Sequence, residues 1–276
     1  MVTIEELSKI STQVRRDIIR MVTAAKSGHP GGSMSSTDIM TALFFSEMKH
    51  DPSTWTRSAK GQDAFILSAG HLAPVYYSVL ARCGYFPLDV LKTLRKLGGL
   101  QGHPSVGTKG VFQPSGSLGQ GLACAAGIAL AKKMDGDGNR VFALLGDGEC
   151  EEGEIWETAM WAPHKKLDNL VAMIDWNGKQ IDGPIEDITG IEDLSEKWGA
   201  FGWDVIVADG HDFESILDAF KFARTEDGKP KAILFKTVMG QGVDFMAGTH
   251  EWHGKAPSPE QAEAALSQLP ETLGDF

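Results

Sequence analysis

The segment VFALLGDGE, residues 141–149, decides the fold. Its first five residues form a continuous apolar run, and this run ends directly in Gly146, Asp147 and Gly148. A short apolar run without alternation is typical of a strand buried on both faces of a parallel sheet. The segment therefore predicts such a strand with a glycine-rich turn at its end. Four similar runs predict further strands over residues 64–68, 170–175, 204–207 and 232–238.

Helical patterns separate these runs. The first begins with a capping box, in which Thr3 and Glu6 stand three residues apart. The alternation of strands and helices predicts an α/β fold, doubly wound, with a mostly parallel sheet and helices on both faces. We expect one domain over residues 1–276, with a glycine-rich tail from about residue 239. The predicted helices cover residues 3–26, 36–48, 74–82, 88–97, 118–133, 153–161, 213–224 and 259–266.

The composition excludes several classes of protein. With 26 basic and 37 acidic residues, the net charge is −11, which argues against a nucleic-acid binder or a protein that binds anionic membranes. No apolar run approaches the ~20 residues of a membrane span. The N-terminal sequence MVTIEELSKI lacks the apolar core of a signal peptide. The three cysteines, Cys83, Cys124 and Cys150, indicate reduced thiols, and we expect a cytoplasmic protein.

Asp147 and Asn177 each follow a predicted strand, with one residue between the strand and the side chain in question. In a parallel sheet, ligands bind at the carboxyl ends of the strands, so these two side chains are expected at one edge. Carboxylate and amide oxygens suit Mg²⁺, which commonly shares its six positions between protein, phosphate and water. The alternative is that Asp147 only caps the following helix.

Histidine follows glycine directly in four of eight cases. A histidine beside glycine in a loop can approach a ligand closely, and its ring suits proton transfer near neutral pH. We favour function for His29, His71, His103 and His253, against the alternative of histidines that only cap turns. The capping interpretation is favoured for His211, and a structural or solvated one for His50 and His164.

A glycine-rich segment, GSLGQG at residues 116–121, precedes a helix rich in alanine. It could form a backbone cradle for a ligand at the start of the helix, or its small residues could only allow close packing. The spacing differs from the dinucleotide fingerprint, and no strand stands immediately before it.

Taken together, these residues resemble the N-terminal half of transketolases, which are thiamine-diphosphate enzymes. GDG with a downstream asparagine is general to that superfamily, whereas SGHPGG with the histidine series is more specific. The resemblance implies the thiamine-diphosphate-binding fold and its pyrophosphate-binding domain. The matching segments are SGHPGGS (27–33), LSAGH (67–71), GHP (102–104), GSLGQG (116–121), GDGECEEG (146–153), IDWNGKQIDG (174–183) and AGTHEWHG (247–254).

The resemblance also implies residue roles. Mg²⁺, or Ca²⁺ or Mn²⁺ in its place, would be bound by Asp147, Asn177 and the backbone carbonyl of Lys179. The donor sugar and its proton transfers would involve His29, His103, His253 and His71, with His250 a weaker candidate. The cofactor would contact His71, Gly116, Ser117, Leu118, Gly148, Asn177 and His253.

Three positions bear on the assembly or depart from the family pattern. Glu152 matches an acidic position at the contact between subunits. Ser117 stands where proline is usual, and Trp176 stands where an acidic residue is common. Neither departure removes a ligand, but both concern local contacts to the cofactor.

Transketolases are more than twice as long as this chain of 276 residues. The remaining part of those enzymes carries the pyrimidine-binding domain, with the glutamate that contacts the cofactor's aminopyrimidine and residues that grip the sugar phosphate. The resemblance therefore implies the N-terminal subunit of a split transketolase, which acts with a C-terminal subunit in a heterotetramer on sugar phosphates.

Other functions stay open on these motifs. One alternative is a component of another thiamine-diphosphate enzyme, similar to deoxyxylulose-phosphate synthase or a 2-oxo acid dehydrogenase. Another is a non-catalytic regulatory subunit that binds the cofactor. A Mg²⁺-dependent phosphohydrolase would use the GDGE segment but would leave the histidine series unexplained.

Overall fold

Five parallel strands form the central sheet of the computed structural model, which describes every residue except Met1, Ala59 and Glu192. Numbered in chain order, these strands are β1 (Ala64–Leu67), β2 (Val141–Gly146), β3 (Leu170–Trp176), β6 (Asp204–Asp209) and β7 (Lys231–Lys236). Their order in the sheet is β1-β2-β3-β7-β6, and every pairing is parallel. A small antiparallel hairpin of β4 (Lys179–Gln180) and β5 (Gly183–Pro184) follows β3.

Helices connect the strands. The α-helices are α1 (Ile4–Ala25), α2 (Pro30–Ser35), α3 (Thr37–Ala42), α4 (Ala73–Arg82), α5 (Gln120–Met134), α6 (Gly153–His164), α7 (Ile185–Ile188), α8 (Leu194–Ala200), α9 (Phe213–Ala223) and α10 (Pro259–Gln268). A π-helical turn covers Leu43–Glu47, and 3₁₀ turns cover Gly70–Leu72, Leu88–Thr93, Gly148–Glu151 and His250–Trp252. Within the described residues, no helix combines the length and the apolar character that crossing a bilayer requires.

The sheet buries both of its faces, as the apolar runs predict. Along β2, Phe142 and Leu144 join a core cluster with side chains of α1, α4 and α9. Ala143 and Leu145 point the other way and join a second cluster with side chains of α5, α6 and α8. The doubly wound fold with helices on both faces is therefore confirmed. The edge strand β6 differs, because five of its six residues are partly buried or exposed. The prediction that all five strands are buried on both faces is therefore wrong for β6.

The capping box at the start of α1 is confirmed. The Glu6 backbone N–H donates to Thr3 Oγ1 at 3.2 Å, and the Thr3 N–H donates to the Glu6 carboxylate at 2.7 Å. The predicted helix over residues 36–48 is confirmed within one residue at each end, as α3 and the π-helical turn that continues it to Glu47. The separate helix α2 before it had not been predicted, and it begins at Pro30, a residue suited to the first position of a helix.

The predicted helix over residues 88–97 is also wrong. The chain forms only the 3₁₀ turn Leu88–Thr93 and then reverses at Arg95, whose φ of 58° is incompatible with a right-handed helix. Leu97 is consequently fully exposed. The short elements α7, α8 and the β4–β5 hairpin had not been predicted.

A buried ion pair joins α1 to the layer above the sheet. Arg15 and Asp38 lie 2.6 Å apart, and both side chains are less than 10% exposed. Asp38 also accepts from Ser11 and contacts His211 Nδ1 at 2.8 Å, while the backbone N–H of Val238 donates to His211 Nε2 at 2.9 Å. His211 thus has the structural role that its sequence context favoured, and it ties α3 to the segment after β7.

Removing one partner of this pair should be costly. We expect Asp38→Ala to lower the free energy of unfolding by about 3–5 kcal/mol, because it leaves the Arg15 guanidinium buried without a counter-charge. Urea denaturation at neutral pH measures the change. The control is Glu5→Ala, which breaks an exposed pair with Lys9 and should leave the midpoint nearly unchanged. Equal losses in both variants would contradict this prediction.

Candidate functional site

A cavity of about 210 Å³ lies at the carboxyl ends of β1, β2 and β3. It is the place that parallel topology favours for a ligand. Its wall includes residues from every predicted motif except GHP: His29, Gly32, His71, Leu72, Gly116, Leu118, Gly146, Asp147, Gly148, Glu149, Asp175, Asn177, Gln180, Ile181, Met239 and His253. A larger groove of about 940 Å³ between α1 and α9 contains none of these residues.

The register between β2 and β3 determines one side of the cavity, here called the floor, which consists of residues 146–149, Asp175 and Asn177. Gly146 pairs with Asp175, so the turns that follow the two strands leave the sheet side by side. Asp147 is 2% exposed. Its two carboxylate oxygens accept from the N–H groups of Gly148 at 2.8 Å and Gly178 at 2.5 Å. Burial, together with the nearby Asp175, raises the pKa of Asp147 to about 8.

Two further carboxylates are buried beside Asp147. Glu149 accepts from the Ser68 hydroxyl and from the Gly119 and Gly146 N–H groups, at 2.9 and 3.1 Å for the two backbone donors. Burial raises its pKa to about 7. Asp175 accepts from hydroxyls of α2, of the α2–α3 junction and of Thr237, and burial raises its pKa as well.

Glu149 and Asp175 had been assigned no role from the sequence. The available signal was an acidic residue at or shortly after the end of two apolar runs, as in LVAMID at 170–175 and GDGE at 146–149. Such residues are rarely buried unless their oxygens have partners. Their partners come from distant segments and could not be read locally.

The floor suits a divalent cation shared with a diphosphate. Asp147 and Asn177 line it with a carboxylate and a side-chain amide, whose oxygens are the hard ligands that Mg²⁺ prefers. Asn177 Oδ1 accepts from the Lys179 N–H at 3.0 Å, which places both residues in one tight turn. Among the described residues no three His, Cys, Asp or Glu side chains form a metal-binding group. Phosphate oxygens and water would therefore have to complete the coordination.

Two glycines beside the floor leave free space next to the backbone. Gly116 and Gly146 line the cavity, and a β-carbon built on either would meet nothing within 4 Å. Three residues assigned to the site from the sequence are outside the lining. Ser117 is exposed, Lys179 lies on the adjacent hairpin, and His103 lies beyond the cavity wall.

Three histidines from separate segments, His29, His71 and His253, form another part of the cavity wall, and His103 lies next to them. The ring centroids of His29 and His71 are 5.3 Å apart, those of His29 and His253 are 5.8 Å apart, and His71 stacks on His253 at 5.0 Å. His103 is 6.3 Å from His29 and extends the cluster outward. His250, which belongs to the same AGTHEWHG segment as His253, is not part of the lining.

These histidines are neutral near pH 7. Burial lowers the pKa of His29 to about 4 and that of His71 to about 3, with the neighbouring histidines acting in the same direction. Burial also lowers the pKa of His103 and His253. The Nδ1 atoms of His29 and His253 are buried without a hydrogen-bond partner in the structure. A neutral ring can both donate to and accept from a hydroxyl group, so the wall suits a polyhydroxylated ligand.

The sequence matches a known family model over nearly its whole length. The model described as transketolase, thiamine diphosphate binding domain, matches residues 7–270. A 6-deoxy-6-sulfo-D-fructose transketolase subunit of Clostridium sp. is 40% identical over 270 residues, which are 95% of this chain and 97% of that protein. One of the apulose-4-phosphate transketolase subunits of Phocaeicola vulgatus is 37% identical over 273 residues, 98% of this chain and 96% of that protein.

Solved structures of longer enzymes share the fold. A transketolase from Leishmania mexicana superposes with a TM-score of 0.89 at 29% identity, covering 95% of this chain and 41% of that chain. A transketolase from Campylobacter jejuni superposes with a TM-score of 0.90 at 31% identity, covering 97% of this chain and 43% of that chain. The chain therefore spans about two fifths of the length of these transketolases.

The low pKa values of the histidines predict a stability change with pH. Between about pH 6.5 and pH 4 the unfolded chain binds protons that His29 and His71 do not bind in the folded state, so the contribution of these two histidines to the free energy of unfolding falls as the pH falls. We expect the double variant His29→Asn/His71→Asn to lose less stability on acidification. Urea denaturation at pH 7.5 and pH 5 measures the difference.

The matched control is His164→Asn, because His164 is exposed at the end of α6. It should lose as much stability on acidification as the parent chain. If the double variant and the parent chain lost equal stability, the neutral, buried state of the two histidines would be disproved.

Proposed function

The chain belongs to the transketolase family, in which it corresponds to the thiamine-diphosphate-binding domain, and on this premise we propose its reaction and the roles of its residues. We propose that it is the N-terminal subunit of a two-chain transketolase that moves a two-carbon ketol unit from a ketose to an aldose. The observation that carries the proposal is one cavity with oxygen donors on its floor and neutral histidines on its wall. A phosphohydrolase would use the floor but would not need the wall.

Thiamine diphosphate, bound together with Mg²⁺, would supply the electron sink for cleavage of the donor's carbon–carbon bond. Asp147, Asn177 and the Lys179 carbonyl would hold the metal, which Ca²⁺ or Mn²⁺ could replace. The remaining contacts to the group would come from His71, His253, Gly148 and the backbone of Gly116, Ser117 and Leu118. The open backbone at Gly116 and the burial of Asp147 support this assignment.

The histidine wall would bind the sugar and move its protons. His29, His103 and His253 would hydrogen-bond hydroxyl groups of the donor, with His71 deeper in the cavity. Because burial keeps these rings neutral, each can accept a proton from a hydroxyl at one nitrogen while it donates at the other. A positioned proton-transfer group of this kind contributes typically about 10²–10⁴-fold to a rate.

A second chain would complete the enzyme. The names of the two bacterial relatives describe transketolase subunits, and the longer transketolases have more than half of their length outside the matched region. Ile181 lines the cavity and is 60% exposed, so the cavity has an apolar rim that a C-terminal subunit would cover. Glu152 is exposed and would lie in a contact between subunits of a cytoplasmic heterotetramer that acts on sugar phosphates.

The metal assignment is tested by cofactor binding. We expect Asp147→Ala and Asn177→Ala each to weaken the affinity for thiamine diphosphate in the presence of Mg²⁺, because Mg²⁺ is bound jointly by the protein and the diphosphate. Isothermal titration of the chain mixed with its partner subunit measures the affinity. The control Asp187→Ala removes an exposed carboxylate of α7 and should bind normally. Unchanged affinity in both site variants would refute the assignment.

The split-subunit proposal is tested by mixing. We expect the purified chain to show no ketol transfer alone, because the match to transketolases covers only their thiamine-diphosphate-binding domain, and to gain activity when a C-terminal subunit is added. A coupled assay of ketol transfer across a range of mixing ratios measures this, and activity should saturate near one to one. Robust turnover by the chain alone would falsify the proposal.

A further inference from the structure

Arg95 stands on a tight turn beside the histidine wall. Its backbone has the left-handed φ of 58°, and its N–H donates to the Leu100 carbonyl at 2.6 Å. This closes the loop that follows the 3₁₀ turn Leu88–Thr93. This backbone conformation is uncommon for a residue other than glycine, asparagine or aspartate. The chain reverses its direction at Arg95 and continues to Gly102 and His103.

The Arg95 guanidinium lies against the backbone of Gly102. A β-carbon built on Gly102 would be 2.7 Å from Arg95 Cζ, 2.8 Å from Nε and 2.9 Å from Nη2. The three nearly equal distances mean that the plane of the guanidinium faces this position. Gly102 has no left-handed φ, and a side chain at this position would displace the guanidinium from it.

The Arg95 guanidinium has no hydrogen-bond acceptor among the residues that the structure describes. Buried arginines elsewhere, such as Arg15 and Arg82, are paired with carboxylates at 2.6 Å. Arg95 is exposed, and no side-chain hydrogen bond or ion pair joins it to any residue that the structure describes. The positive charge of Arg95 nevertheless interacts with the histidines, since it contributes to the lowered pKa of both His29 and His103.

These groups form a line that leads outward from the floor. His71 lies 5.3 Å from His29, His29 lies 6.3 Å from His103, and Arg95 packs on the residue before His103. A sugar whose reacting carbons lie at the floor would pass the histidines with its hydroxyl groups. Its far end would then reach Arg95.

The net charge of the chain gives a cation at this position a physical role. The chain carries a net charge of −11, which repels an anionic substrate. The histidines cannot offset this repulsion, because they are neutral at pH 7. A planar guanidinium with free donors is the group best suited to a tetrahedral oxyanion such as phosphate or sulfonate.

We propose that Arg95 binds the terminal anionic group of the sugar substrate, a phosphate or a sulfonate, and so makes this chain selective for anionic sugars. The inference rests on the proposed ketol transfer. It adds an anion contact from the histidine-bearing subunit to those that the resemblance assigns to the pyrimidine-binding half of transketolases.

The test compares anionic and neutral donors in the assembled two-chain enzyme. The donors are D-fructose 6-phosphate, 6-deoxy-6-sulfo-D-fructose and two neutral ketoses, D-fructose and L-erythrulose. We expect Arg95→Asn to raise KM for an anionic donor about ten- to a hundredfold, the loss typical of hydrogen bonds to a charged group, with kcat and the neutral donors nearly unchanged. Asparagine is chosen because it tolerates the left-handed backbone of residue 95.

Two further variants separate recognition from structure. Lys96→Asn removes the same charge from the next residue of the turn, which is exposed, and should leave every KM unchanged. Arg95→Lys keeps the charge but loses the planar fork, so its KM for the anionic donors should fall between those of the parent and Arg95→Asn. If Arg95→Asn does not fold, Arg95→Lys provides the comparison.

Each outcome decides the proposal. A higher KM of Arg95→Asn for the phosphate donor, for the sulfonate donor or for both supports the proposal and identifies the anion that Arg95 binds. An unchanged KM for both anionic donors, or an equal rise for the neutral ones, overturns it while ketol transfer itself stands. Absence of ketol transfer from every donor in the parent enzyme would instead overturn the proposed function, and this inference with it.

Discussion

The parallel register of β2 against β3 is the constraint on which the site depends. Pairing of Gly146 with Asp175 brings two strand ends together and buries three carboxylates where no basic side chain is paired with them among the described residues. Backbone N–H groups, hydroxyls and the Asn177 amide donate to them instead, and burial raises the pKa of all three. Such a floor is unfavourable for the isolated fold and favourable for binding a divalent cation, which fits a site maintained for a ligand.

The histidine wall depends on a second constraint, the attachment of the segment after β7 to the N-terminal helices. Arg15 Nε donates to the Gln241 carbonyl at 3.0 Å, and the Gly240 N–H donates to the Gly31 carbonyl at 2.9 Å. The second bond joins the segment that carries His253 to the helix that follows His29. The Arg15–Asp38 pair is therefore distant from the cavity and still holds one side of it in place.

The sequence was informative where structure is decided locally. Continuous apolar runs identified the five strands, and the capping box identified the start of α1, because both signals lie within a few residues. The turns holding Asp147 and Asn177 were predictable for the same reason, since each follows a strand. The failures were decided at longer range: the helix over 88–97 is stopped by the left-handed turn at Arg95, and the burial of Glu149 and Asp175 depends on donors far away in the chain.

The charges of the site also explain why it would need components from outside the chain. The floor consists of buried carboxyl groups whose pKa values burial raises, the wall is neutral, and Arg95 is a cation beyond it without a paired carboxylate among the described residues, so the surroundings become more favourable to an anion along the line from Asp147 to Arg95. A diphosphate could approach the floor only with a divalent cation, whereas a sugar carrying a terminal anion would be oriented by Arg95 with its uncharged end inward. Reversed binding would bury its anion beside the carboxyl groups, where burial already disfavours negative charge, as their raised pKa values show. The same asymmetry that would bind the cofactor would therefore also fix the direction of the substrate.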